Sequence, residues 1–129
     1  MNNSSMPNML VQQKSDSILL VDDRQIILEC ISAWIKANSP YDTTYSFRSV
    51  SNAIREAGPE LKSVSVALLN INERSIFDSD SVKDLARLDQ ALPNVPIIVI
   101  SNREDPEYIV EALEQGIRGF IPASTWPAF

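Results

Sequence analysis

The sequence has no histidine and a single cysteine, Cys30. Without histidine there is no Ser-His-Asp triad, no Cys-His nucleophile pair and no imidazole ligand for zinc or haem. One cysteine makes no disulfide within the chain. Glycine is scarce, with only Gly58, Gly116 and Gly119. No glycine-rich, phosphate-cradling loop therefore follows any apolar run, and a nucleotide- or flavin-binding domain has little support. Basic residues are also short: eleven Lys+Arg stand against seventeen Asp+Glu, for a net charge of −6. Neutralising phosphates needs a basic face, so direct nucleic-acid binding by this chain is not expected. The longest apolar runs, such as 97–100, are far too short to span a bilayer. Residues 1–13 lack both Lys/Arg and the long apolar core of a secretory signal. A cytoplasmic protein with no membrane partner is the expectation.

What is present is 129 residues, 44% hydrophobic and 22% charged, enough for one domain with its own core. Residues 1–15 are polar and rich in Asn and Ser, and are expected to form a disordered or loosely packed N-terminal arm. From residue 16 to 129 the pattern is that of a single α/β domain. Ser17 to Val21 is a continuous apolar run, the mark of a strand covered on both faces. A helix is predicted over 24–37, with Ile26, Ile27, Cys30, Ile31, Trp34 and Ile35 as its buried stripe, closed by Pro40. Thr43 to Phe47 is a short β-prone run. Val50, Ala53, Ile54 and Ala57 outline a second helix, stopped by Gly58-Pro59.

A third strand over 64–69 leads into a polar loop over 70–79. A third helix then carries Val82, Leu85, Ala86, Leu88 and Leu92 on its apolar face. Residues 95–100 form a fourth strand. Asp105-Pro106-Glu107 opens a fourth helix with an Asp cap, an early Pro and an acid at the positive end of the dipole. Its predicted stripe is Ile109, Val110 and Leu113, and residues 118–122 form a fifth strand. Strict β-α alternation with right-handed crossovers gives a doubly wound parallel sheet. Ligands of such sheets bind beyond the carboxyl ends of the strands. This singles out Asp22, Asp23, Asn70, Ile71, Asn72, Ser101, Asn102 and the residues after Ile121.

Asp22 and Asp23 repel each other at the mouth of the first strand. A hard cation such as Mg²⁺ would relieve that repulsion; alternatively, one carboxylate caps the following helix and the other is solvated. Asn70 offers an amide where a carboxylate would complete an acidic pocket, and an amide is not a useful nucleophile. Asn72 can offer a backbone carbonyl to a cation, and Ser101 a hydroxyl to an anion. No Lys closes the pocket at Pro122-Ala123-Ser124, and Arg118 lies at the wrong end of its strand. Glu73, Asp78 and Asp80 are read as loop charges, with one of them capping the third helix. Cys30 and Trp34 are read as core.

The stretches VDD at 21–23, LLNIN at 68–72, VPIIVISNREDPE at 95–107 and ALEQGIRGFIPAS at 112–124 resemble the receiver domain of bacterial response regulators. The last two most resemble the LuxR-type (helix-turn-helix) transcriptional regulators. The resemblance runs over about 16 to 125. It implies a flavodoxin-like five-stranded parallel sheet of order 2-1-3-4-5. On its pattern the Mg²⁺-binding acids fall on Asp22 and Asp23, with the metal-binding carbonyl on Asn72. The phosphoacceptor falls on Asn70, the switch pair on Ser101 and Phe120, and the phosphoryl-contacting lysine on Ala123.

Two of these positions depart from the family, the nucleophile and the lysine. Together they imply a degenerate pseudo-receiver, not an enzyme, with no required cofactor and at most a weak or vestigial Mg²⁺ site. The alternative implied is a receiver phosphorylated with Mg²⁺ on Asp22, Asp23 or Glu73. The family's fifth helix is expected to be truncated or missing, with one sheet face half covered and no DNA-binding domain present. The expected partner is a protein or a second copy, as a homodimer or domain swap, through Tyr108, Val110, Glu111, Trp126 and Phe129.

Overall fold

The computed structural model describes residues 17–125. The N-terminal arm, Trp126 and Phe129 lie outside the described residues. Strand β1 (Ser17–Val21) is buried along its whole length because it bonds on both sides, to β2 (Thr43–Phe47) and to β3 (Val64–Asn72). Strands β4 (Ile97–Ser101) and β5 (Gly119–Pro122) complete an all-parallel sheet of order β2-β1-β3-β4-β5. The predicted order, numbered 2-1-3-4-5, and the doubly wound arrangement are those observed.

Alternate residues of each strand face opposite sides, and two cores result. Leu19, Val21, Ala67, Leu69, Ile71 and Val99 pack under α2 (Val50–Ala57), α3 (Ser79–Ala91) and α4 (Pro106–Glu114). Ile18, Leu20, Leu68 and Ile100 pack under α1 (Gln25–Asn38). Among the described residues α1 is the one helix on that second face, and Ile98 and Ile121 there stay half-buried. Residues 123–125 form a single 3-10 turn, so the described residues hold four α-helices and no fifth.

The helices are where predicted, but three of them are rotated. In α1 the buried residues are Leu28, Ile31 and Ile35, while Ile26 is 67% exposed and Trp34 reaches the surface. The apolar residues of α1 span more than half its circumference, and a sheet covers only one side. In α3, Ser81 and Leu88 face inward and Val82 is exposed. In α4, Tyr108 and Ala112 face inward, and the predicted Val110 and Leu113 are exposed. Cys30 is only half-buried.

Two helix starts also differ from expectation. Asp105 and Asp78 occupy the N-cap positions of α4 and α3, but neither side chain makes a capping hydrogen bond. Asp105 lies 3.7 Å from Arg103, and Asp78 accepts from the Ser75 N–H at 3.3 Å. Ser49 does cap α2, accepting from the Asn52 N–H at 3.0 Å.

Candidate functional site

Five of the residues singled out from the sequence meet at the carboxyl end of the sheet: Asp22 and Asp23 after β1, Asn70 and Asn72 at the end of β3, and Ser101 at the end of β4. β3 runs three residues past the predicted end. Its pairing with β4 shifts register between Asn70 and Asn72, so Asn70 lies opposite Ile100 and Asn72 opposite Ser101. The irregularity places Asn72 at a φ of 57°, a left-handed conformation that Asn tolerates better than most residues.

Asp22 is 2% exposed, a burial that a carboxylate sustains only when paired. Its Oδ1 accepts from the Arg24 backbone N–H at 3.0 Å and from Arg24 Nε at 3.1 Å. Its Oδ2 accepts from Arg24 Nη2 at 3.0 Å and from Asn70 Nδ2 at 2.8 Å. An ionised carboxylate has about four acceptor sites, and all are used. The guanidinium fork grips both oxygens, the strong bidentate form of this pair. The bond to Asp22 holds the Arg24 pKa above its usual value, against the opposing effect of burial.

The Asn70 amide orientation follows from chemistry. Asp22 only accepts, so the NH₂ faces it, and Asn70 Oδ1 accepts from the Asn72 N–H at 2.9 Å. Asp23 is exposed; its carbonyl accepts twice from Arg48, at 2.7 and 3.0 Å, and its Oδ1 accepts from Asn72 Nδ2 at 3.3 Å. The Asn72 carbonyl accepts from the Asn102 N–H at 2.9 Å, with the Ser101 hydroxyl at 3.5 Å. Asn72 Oδ1 is buried without a partner. Over these groups lies an open depression of about 390 Å³, lined by Asp23, Arg24, Asn72, Glu73, Arg74 and Asn102 among others.

A resident divalent cation does not fit this donor set. Mg²⁺ takes near-octahedral oxygen ligands from one or two carboxylates. Here Asp22 has no free acceptor site, the Asn72 carbonyl is already engaged, and position 70 turns an N–H toward the pocket. The carboxylates left open, those of Asp23 and Glu73, are exposed and share the depression with the Arg24 and Arg74 guanidinium groups. No cluster of three or more Asp, Glu, Cys or His able to hold a metal occurs among the described residues.

Ser101 is fully buried and accepts from the Arg103 N–H at 3.1 Å. Phe120 stacks edge-on against Tyr108, with ring centroids 5.8 Å apart. Tyr108, expected on an interaction surface, is 3% exposed. Its hydroxyl accepts the Ile76 N–H at 2.6 Å, which makes an interior place tenable for a phenol. Phe77 also meets the ring edge-on, and the Arg103 guanidinium lies 4.2 Å over its centroid. Val110 and Glu111 are exposed. Ala123 is half-buried, and its methyl packs with the α1-side core.

Sequence reasoning missed Arg24, Arg48 and the interior role of Tyr108. Arg24 had a signal: a guanidinium directly after two acids can reach back to one of them.

The strand order, the acid pair and the strand-end Asn and Ser define a class, the receiver fold, and the comparisons place the chain within it. The family model for the response regulator receiver domain matches residues 18–124, and the chain belongs to that family. It is 23% identical over 114 residues to the transcriptional regulatory protein DegU of Brevibacillus brevis, covering 88% of this chain and 46% of that one. It is 24% identical over 108 residues to the response regulator protein VraR of Staphylococcus saprophyticus, covering 84% and 49% respectively. The chain spans about half the length of these curated relatives. Among solved structures, it resembles the isolated receiver domain of RcsB from Salmonella enterica serovar Typhimurium, with a TM-score of 0.68 and 18% identity. That likeness covers 86% of this chain and 79% of that one, and shows a shared fold. No helix among the described residues is long and apolar enough to cross a membrane.

Proposed function

We propose that this receiver domain works without phosphorylation at the usual strand-end position, and that it acts by protein contact in two-component-type signalling. One observation carries the reading: position 70 is an amide, and it donates to Asp22 at 2.8 Å. Phosphoryl transfer to a receiver needs a carboxylate oxygen as nucleophile. The lone pair on an amide nitrogen is delocalised into its carbonyl, and here the NH₂ is already spent on Asp22. Ala123, at the position the family fills with lysine, supports the same reading, because a methyl group cannot answer a phosphoryl oxygen. On this reading the domain is a binding module and not an enzyme.

The contact surface is α4, where Val110 is 56% and Leu113 42% exposed beside Glu111. The partner is a protein or a second copy of the chain. The likeness to DegU, a transcriptional regulatory protein, supports a place in transcriptional regulation, with DNA contact left to another segment or protein. The LuxR-type resemblance of the last two strand-helix stretches points the same way.

Intact mass after incubation with Mg²⁺ and a small acyl phosphate tests the reading, with a phosphorylatable receiver run alongside. No phosphoryl adduct is expected on this chain. An adduct mapped to Asp22, Asp23 or Glu73 would overturn the proposal.

A further inference from the structure

We propose that the Arg24 guanidinium is a built-in replacement for a divalent cation, so that buried Asp22 is neutralised from within and the pocket does not sense metal. The proposal goes beyond the phosphorylation reading, since a pocket lacking a nucleophile can still bind Mg²⁺.

The observations are geometric. Two acids adjoin at the strand mouth, and one of them is buried, which requires a positive partner. Arg24 supplies it from two residues away, with Nε on Oδ1 at 3.1 Å and Nη2 on Oδ2 at 3.0 Å. The Arg24 backbone N–H and Asn70 Nδ2 fill the last two acceptor sites of Asp22. A metal ion approaching Asp22 must displace a tethered cation that never dissociates from the chain and is held by two hydrogen bonds at once. The second oxygen a metal would use, the Asn72 carbonyl, is engaged by the Asn102 N–H at 2.9 Å. The guanidinium also lines the open depression, so a divalent ion there meets like charge.

The position 70 amide fits the same logic. With one carboxylate fewer in the pocket, a single positive charge is enough to balance buried Asp22. Arg24 and Asn70 therefore act as a matched pair, one cation of charge one and one neutral donor, both directed at the same carboxylate.

The test is Mn²⁺ binding, followed by electron paramagnetic resonance of free ion, on the full chain and on Arg24→Ala, Asn70→Asp and the double variant. The native chain is expected to show no binding at this pocket in the millimolar range. The Asn70→Asp variant should stay weak while Arg24 remains. The double variant should bind at least about tenfold more tightly than Asn70→Asp, a gain equivalent to about 1.4 kcal/mol. Arg24→Gln, which keeps a donor toward Asp22, serves in place of Arg24→Ala if that variant fails to fold, and the same gain is expected. Native binding as tight as the double variant's, or no gain on removing Arg24 from Asn70→Asp, would overturn the proposal. A phosphoryl adduct on the native chain would count only against the phosphorylation reading, so the two failures are distinguishable.

Discussion

Asn70 Nδ2 donates to the buried Oδ2 of Asp22 at 2.8 Å, and no ionised carboxylate at position 70 can make that bond. Asn70→Asp replaces a donor with a second negative charge at hydrogen-bond distance. The variant is expected to lose about 1–3 kcal/mol at neutral pH, the usual cost of breaking a buried hydrogen bond to a charged group. Repulsion raises the folded-state pKa of the introduced carboxyl, so the loss should shrink as pH falls and that carboxyl takes up a proton. Urea unfolding at neutral and mildly acidic pH checks both the size and the direction.

Tyr108→Phe removes the acceptor of the buried Ile76 N–H, now bonded at 2.6 Å. The ring and its contacts with Phe77 and Phe120 survive, so the loss isolates the hydroxyl. An orphaned buried donor costs about 1–3 kcal/mol, and for a domain of this size each kcal/mol lowers Tm by roughly 3–5 °C. Calorimetry on the two proteins is the measurement. A Tm unchanged within error would mean that the Ile76 N–H finds water.

Ser49→Ala removes the side-chain cap of α2, in which Ser49 Oγ accepts from the Asn52 N–H. A loss of about 1 kcal/mol is expected. Removing Asp105, which sits at an N-cap position without making the bond, should cost less than Ser49→Ala does. Paired urea titrations of Ser49→Ala and Asp105→Ala decide this.

Burial pushes the Asp84 carboxyl above the usual aspartate range, with Arg74 and Arg87 opposing it. A folded-state pKa raised above the unfolded value favours the protonated folded form. Stability from this group is therefore full below the unfolded pKa, about 3.9, and falls as pH rises through the folded one. Asp84→Asn removes that penalty, and should raise Tm at pH 7. The gain should close as pH drops toward the ordinary aspartate value. Melting curves of both proteins across that range test the sign.

The sheet was legible because parallel strands covered on both faces leave continuous apolar runs, and β1 and β2 begin and end where those runs do. The site was legible as a set of positions, since a doubly wound sheet gathers its strand ends: Asp22, Asn70, Asn72 and Ser101 do meet. Helix rotation was not. PEYIVEALE carries apolar residues on overlapping arcs, and the arc that wins contains Tyr108, whose hydroxyl has a specific N–H to meet. That partner lies 32 positions away, in the loop after β3, beyond the reach of any local pattern. The Arg24 fork was hidden for a related reason. Periodicity assigns a charged residue at a helix start to solvent, and the signal of the two preceding acids becomes decisive only once Asp22 is seen to be buried.

The Tyr108 ring and hydroxyl fasten together three segments: the loop at Ile76 and Phe77, the helix α4 and Phe120 on the last strand. Thermodynamic coupling has no preferred direction. On the proposed reading, a protein that binds α4 would act on the loop beside the strand-end pocket through the same fastener. Occupancy of α4 and the shape of the strand-end cleft would then be two readings of one equilibrium, each shifting the other by the same free energy.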